Sequence, residues 1–405
     1  MTTTTTSRIF RCTAARVGTI DPDFVIFSGI DRRLHVLNQT ARAVWERIGD
    51  GSSGQQMCRE LADEYGVEPD EVRPDVLGLL DQLVDRGICH LDHGCDHDEE
   101  LADAARSEQS SADPDQIGVS AEPQESIRAL GVPILVETDD ALLRTELVRV
   151  LDPLRAEIDL SDPTDLRRLQ HIVVNGAGNL WHVRRNGNSV ITVSSRERAI
   201  RTVVAECNSA PLLHVDGAVV FHSAVADLGR GNVLFPGVSN SGKSTLVAQL
   251  TARGHEYVTD EAAAVDIESL AVSPFTKSIC LAKAALQLLP DLASSPKATR
   301  SHSALDIDPR TLGPGRLGRG GPVIAVVFPT FDADSAPVLR PLTQLDALRR
   351  LIANTFAFDH VGASAFGALI RMVTVLPFYE LSHAGGTAHL EQLEVLFGDG
   401  NSISL

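Results

Sequence analysis

Residues 231–254 read GNVLFPGVSNSGKSTLVAQLTARG. An apolar run, NVLF, leads into a Gly-rich turn, and TLVAQLTARG continues as a helix that Gly254 stops. The turn Gly237–Ser244, GVSNSGKS, satisfies G-x-x-x-x-G-K-[ST]. Gly237 and Gly242 allow the backbone to turn tightly and aim its N–H groups at phosphate oxygens, and the helix adds its positive end. Lys243 is expected to reach the β- and γ-phosphates, and the Ser244 hydroxyl to hold Mg²⁺. Gly237, Ser239, Asn240, Ser241, Gly242, Lys243, Ser244 and Thr245 are the expected nucleotide-binding residues. A chain of this length meets the pattern by chance in about 2% of cases, and a preceding strand and following helix lower that further. A serine-hydrolase elbow is excluded, because G-x-S-x-G needs Gly at position 241, which is Ser.

Outward from this turn, EYVTDEAAAVDI (256–267) and PVIAVVFPTF (322–331) read as strands. Strand, Gly-rich loop, helix, strand is an α/β arrangement. Asp260 and Glu261 end the strand after the helix, seventeen and eighteen residues beyond Lys243. Carboxylates there face the nucleotide end of a sheet. One could hold Mg²⁺, and one could orient or deprotonate an attacking hydroxyl. His222, fifteen residues before Gly237, ends the run AVVFH. Upstream, GVPILVETD, HIVVNG and SVITVSS are short strand candidates, with a helix over LLRTELVRVLDPL. The polar, Gly-rich stretch near 294–321 is expected to be a mobile loop.

The 405-residue chain has a net charge of −18. Nucleic-acid backbones require a basic face, so no nucleic-acid partner is expected. The charge is uneven: residues 92–125 hold eleven Asp/Glu against Arg106 alone, so 11 − 1 = 10 of the 18 negative charges lie there. Residues 96–122 therefore read as a flexible, self-repelling linker. It separates an N-terminal module, 1–95, from a C-terminal one, 123–405, with a β-rich part at 123–210 and a nucleotide-binding core at 211–405. No apolar run reaches the ~18 residues of a membrane helix, and MTTTTTSRIFRC lacks a signal-peptide core. The expectation is a cytoplasmic protein with no membrane partner. The six cysteines form no CxxC pair, which fits reduced thiols.

In the N-terminal module, DFVIFSGIDRRLHVLN (23–38) reads as a hairpin. Asn38 or Thr40 can cap a helix carrying Ala41, Val44, Trp45 and Ile48, which the Asp-Gly at 50–51 stops. Helices follow at Gln55–Tyr65 and Pro69–Arg86, the second with Val72, Val76, Leu79, Leu80 and Leu83 on one face, and ICHL returns as a strand. Together they make a small winged-helix-like unit. Cys89, His90, His93, Cys95 and His97 fall within nine residues, but their spacing matches no standard zinc template.

FHSAVADLGRGNVLFPG, the P-loop and GHEYVTDE together resemble the HPr kinase/phosphorylase family. His222, the GVSNSGKS loop, Arg253-Gly254-His255 and the Asp260-Glu261 pair stand where that family has its His, its loop, R-G-H and an Asp-Asp pair. The resemblance covers roughly 210–285. It implies an HPr kinase-like α/β fold, ATP and Mg²⁺ as cofactors, Asp260 as general base toward a serine hydroxyl, His222 as its catalytic partner, and Mg²⁺ near Ser244 and Glu261. It also implies a homo-oligomer. Glu261 replaces the second Asp, and GPGRLGRGG (313–321) only echoes the family's docking signature. Arg316 and Arg319 in that echo are expected phosphate stabilisers.

The N-terminal module resembles PqqD, in LNQTARAVW (37–45), GDG (49–51) and DVLGLLDQLVDRGI (75–88). Such modules bind the leader of a precursor peptide as an added strand beside a helix. Both resemblances together imply a kinase of the lasso-peptide precursor type, phosphorylating a serine or threonine of a ribosomally made precursor peptide. Other peptide-modifying enzymes are further expected partners. Two alternatives stand beside it: an HPr-like serine kinase acting on a folded carrier, and a non-catalytic, nucleotide-gated peptide chaperone.

Overall fold

The computed structural model describes residues 3–30, 32–49, 52–91, 125–213, 215, 217–289, 299–300, 304–314, 316–356 and 363–399. Its strands and helices run, in chain order, β1 (Ile9–Arg11), β2 (Ala15–Ile20), β3 (Asp23–Ser28), β4 (Arg33–Leu37), α1 (Gln39–Arg47), α2 (Gly54–Tyr65), α3 (Pro69–Asp85), β5 (Cys89–Leu91). Then come β6 (Glu125–Ala129), β7 (Val132–Thr138), α4 (Ala141–Leu151), α5 (Pro163–Arg168), β8 (Gln170–Ala177), β9 (Leu180–Arg185), β10 (Asn188–Val193), α6 (Arg196–Ser209). The remainder is β11 (Ala218–Asp227), β12 (Asn232–Pro236), α7 (Lys243–Ala252), β13 (Glu256–Thr259), β14 (Ala262–Asp266), β15 (Ala271–Val272), β16 (Ile279–Ala282), β17 (Thr299–Arg300), β18 (Ala304–Ile307), β19 (Gly321–Phe331), β20 (Val338–Pro341), α8 (Gln344–Ala353), α9 (Ala363–Val375), β21 (Phe378–His383), α10 (Ala388–Phe397). The chain divides into two units, Met1–Ser110 with Phe358–Thr374, and Ser111–Ala357 with Val375–Leu405.

In the first unit β2, β3 and β4 form an antiparallel sheet, and β1 pairs with β5. Asn38 caps α1 by accepting from the Ala41 N–H, and Ser53 caps α2 from Gln56. Gly87, at φ 64°, turns the chain after α3 into β5. Alternation along β3 sends Phe24 and Ile26 into a core with Trp45, Met57, Leu61, Leu80 and Leu83. Val25 and Phe27 face the other way, yet they are buried too. The reason is α9. The Phe366 ring lies 6.3 Å from that of Phe27, and a Cβ on Gly18 would stand 2.6 Å from Ile370. Residues 363–374 thus group with the N-terminal unit, although the sequence assigns them to the C-terminal domain. His93, Cys95, His97 and the 96–122 segment lie outside the described residues. Cys89 and His90 sit in β5, and no metal-ligand cluster occurs among the described residues.

In the second unit a five-stranded sheet, β10-β9-β8-β7-β6, packs against α4 and α6 through Ile134, Leu143, Leu147, Ile172, Val183 and Val203. The second sheet is mixed. Its strand β12 lies between β11, antiparallel, and β19, parallel. All five β12 residues are buried, as the continuous apolar run requires. EYVTDEAAAVDI divides into β13 and β14, both paired with β11, with Asp260 and Glu261 at the turn between them. The stretch 294–321 is not wholly loop: Leu305 and Ile307 of β18 are buried, and β18 pairs with β16. No described helix is long and apolar enough to cross a membrane.

Candidate active site

Strand β12 delivers the chain to Gly237, and α7 carries it away from Gly242. Gly237 leaves no room for a side chain, because a Cβ there would lie 2.6 Å from Ser241 Oγ. Gly242 adopts φ 92° and would place a Cβ 3.1 Å from the His383 ring. Val238, Ser239 and Asn240 are exposed at the tip, with Asn240 also at positive φ. Lys243 is 6% exposed and donates to the carbonyls of Gly237 and Val238 at 2.7 and 3.0 Å. Burial lowers its pKa, against the opposing charges of Glu261 and Asp260.

Strand β11 ties this loop to the carboxylates. The Gly237 N–H donates to the His222 carbonyl at 3.2 Å, and the Ser223 N–H donates to the Glu261 carbonyl at 3.2 Å. Two consecutive residues are thus bonded to the Gly237–Ser244 loop on one side and the Asp260-Glu261 turn on the other. The His222 ring packs 5.5 Å from that of Phe356, whose N–H donates to Val220. Burial lowers the His222 pKa, as does the Lys243 charge, with Asp260 opposing. His222 therefore favours its neutral form, able to accept a proton or donate a hydrogen bond.

The two carboxylates differ sharply. The Asp260 side chain is 1% exposed, and that of Glu261 is 45% exposed. Asp260 Oδ1 receives the Tyr257 hydroxyl at 2.9 Å and the Lys277 ammonium at 2.7 Å. Glu261 Oε2 lies 3.8 Å from Lys277. Burial by itself would lower the Lys277 pKa, but the charges of Asp260 and Glu261 outweigh it and hold that pKa raised. Burial, with the Asp260 charge added, pushes the Tyr257 phenol well up, so it stays a donor. The sequence reading missed Lys277. Its signal was present, since Lys277 is the lone charged residue in 269–282.

His383, at the end of β21, and His389, in α10, were also unforeseen. Their rings stack at 4.5 Å, and each residue is 1% exposed. Arg316 and Arg319 are exposed, on the segment whose Arg316 carbonyl accepts from Tyr257 N–H and whose Gly318 N–H donates to the Tyr257 carbonyl.

The donor set suits a hard divalent cation, which takes oxygen ligands. The Ser244 hydroxyl has no hydrogen-bond partner among the described residues, and the Glu261 carboxylate has only the long contact to Lys277. Thr245, in the first turn of α7, is half-buried beside it.

No curated protein matches the chain. The solved Hpr(Ser) kinase/phosphatase from Coxiella burnetii is similar at 15% identity with a TM-score of 0.25, over 44% of this chain and 92% of its own. The family described as Coenzyme PQQ synthesis protein D (PqqD) matches residues 24–88, so the N-terminal unit carries a PqqD domain.

Proposed function

We propose that this chain is an ATP-dependent kinase that phosphorylates a serine or threonine hydroxyl of a ribosomally synthesised precursor peptide, with the PqqD domain recruiting the leader. The carrying observation is the bonding of His222-Ser223 to both the phosphate loop and the carboxylate turn. The PqqD match supports a peptide as acceptor. β4 stands at the end of the order β2-β3-β4, a position at which a leader could add as a further strand.

The domain limits proposed are 1–95 for recruitment, 96–122 for the linker and 123–405 for catalysis, with 363–374 excepted because they group with the N-terminal unit. A flexible linker raises the effective concentration of a held core peptide to the ~mM range without tighter contacts at the active site. Bound Mg·ATP would supply the phosphoryl group and the charge-neutralising metal. Lys243 would exchange its two carbonyl partners for the β- and γ-phosphates, and N–H groups of the loop and of the first turn of α7 would orient them. Ser244 and Glu261 would hold the metal. Asp260 Oδ2, the oxygen not tied by Tyr257 or Lys277, accepts the hydroxyl proton, and His222 assists from β11. Asp260 is buried, so the acceptor reaches Oδ2 only in a more open arrangement of the turn.

The test uses the full chain, Mg·ATP and precursor peptides from neighbouring reading frames, read by mass spectrometry. Gain of one phosphate mass on the core peptide is expected. A peptide that binds the PqqD domain but never gains phosphate would overturn the proposal.

A further inference from the structure

Lys277 stands between the two carboxylates and treats them unequally. It sits in a segment pinned by backbone bonds to both neighbouring strands. The Ser273 N–H donates to Ala264 at 2.9 Å, the Phe275 N–H to Val258 at 3.0 Å, and the Lys277 N–H to Phe275 at 2.9 Å. Its ammonium has three protons. One meets Asp260 Oδ1 at 2.7 Å and one the Ser278 carbonyl at 3.2 Å. The distance to Glu261 Oε2, 3.8 Å, is too long for a hydrogen bond.

A divalent cation seated on Asp260 would lie beside a fixed positive charge within a buried site, where screening is weak. The same cation on Glu261 meets a carboxylate that is half exposed and holds no hydrogen bond through its oxygens among the described residues. Tyr257 closes the remaining approach to Oδ1, since its buried hydroxyl donates there and stays protonated. Asp260 is therefore charge-matched and locked at one oxygen, whereas Glu261 has only the longer ion pair to Lys277 and no hydrogen bond through its carboxylate among the described residues.

We propose that Lys277 is a positioning residue that assigns the two carboxylates their roles, holding Asp260 off the metal with Oδ2 left for the acceptor hydroxyl, and so reserving the metal for Glu261. This rests on the kinase reading for the acceptor's identity, but the sorting itself is a statement about metal binding. A buried ammonium with a purely structural role would support the turn without making the carboxylates unequal toward a cation.

The experiment is Mn²⁺ titration of the full chain, with a non-hydrolysable ATP analogue bound, followed by electron paramagnetic resonance. With Lys277 present, Glu261→Gln is expected to weaken Mn²⁺ binding at least tenfold, and Asp260→Asn to change it less than twofold. In Lys277→Met the released Asp260 joins the metal, so Mn²⁺ binding tightens and Asp260→Asn now weakens it. Lys277→Arg, which keeps the charge, retains the original order. Equal losses from Asp260→Asn and Glu261→Gln in the presence of Lys277 overturn the sorting, as does an unchanged order in Lys277→Met. Should Lys277→Met fail to fold, the same carboxylate comparison in Lys277→Gln decides the matter. A wild-type chain that shows the expected Mn²⁺ order yet phosphorylates no peptide would refute the proposed reaction and leave the sorting intact.

Discussion

The Tyr257 hydroxyl donates to Asp260 Oδ1 at 2.9 Å from a ring with no solvent exposure. Removing that donor leaves Lys277 still in place, so Tyr257→Phe should cost about 1 kcal/mol, the net worth of one hydrogen bond. Asp260→Asn is more severe, because it strands a buried ammonium, and a broken buried pair costs ~3–5 kcal/mol. Urea denaturation of both variants checks the order. Asp260→Asn should also abolish phosphate transfer in the fraction that remains folded, while nucleotide binding survives. Loss of nucleotide binding from folded Asp260→Asn would move Asp260 to the metal.

Lys243 gives a prediction of opposite sign for stability and binding. Its folded pKa is lowered, chiefly by burial, so the charged form carries a cost in the folded state at neutral pH. That cost is present below the folded pKa and fades as pH rises above it. Lys243→Met should therefore leave the melting temperature unchanged or raise it. The same change should weaken binding of a fluorescent ATP analogue at least tenfold, about 1.4 kcal/mol. A variant that melts earlier and still binds nucleotide would contradict both halves.

The parts of this site that could be read from sequence are those whose chemistry is local. The Gly237–Ser244 loop is eight consecutive residues, and its flanking strand and helix announce themselves by apolar run and period. Asp260 and Glu261 stand one strand further on. Lys277 arrives through pairing of a later segment with β13 and β14, and His383 at the end of a strand, 122 residues beyond Glu261, so neither has a spacing to betray it. The same limit hid the place of α9. Phe366, Leu369, Met372 and Val373 mark an apolar face at helical spacing, but which sheet that face covers is a long-range fact. The Gly-rich run after 304 reads as loop by composition, yet Leu305 and Ile307 find partners in β16.

The contact of α9 with β2 can be tested by exchanging volume. Gly18→Ala should place its methyl 2.6 Å from Ile370 Cγ1. Overpacking of this kind costs ~1–3 kcal/mol. Ile370→Ala makes room, so the double variant should recover most of the loss caused by Gly18→Ala alone. A double-mutant cycle in urea measures the coupling. Strict additivity would show that α9 does not lie against β2.

The stacked pair His383–His389 should make the protein acid-sensitive in a defined window. Burial lowers both pKa values, and the neighbouring His383 lowers that of His389 further, to about 4. A histidine whose folded pKa is depressed favours folding while neutral. Its contribution is full above the unfolded pKa, near 6.5, and is lost as pH falls toward 4, because the unfolded chain takes up the proton first. For His389 the shift corresponds to about 3 kcal/mol. His389→Phe keeps an aromatic ring against His383 and removes the titrating group. Urea midpoints measured from pH 7 to pH 4 should fall less steeply in this variant than in the wild type. Parallel stability curves for the two proteins would show that the pair does not titrate with unfolding.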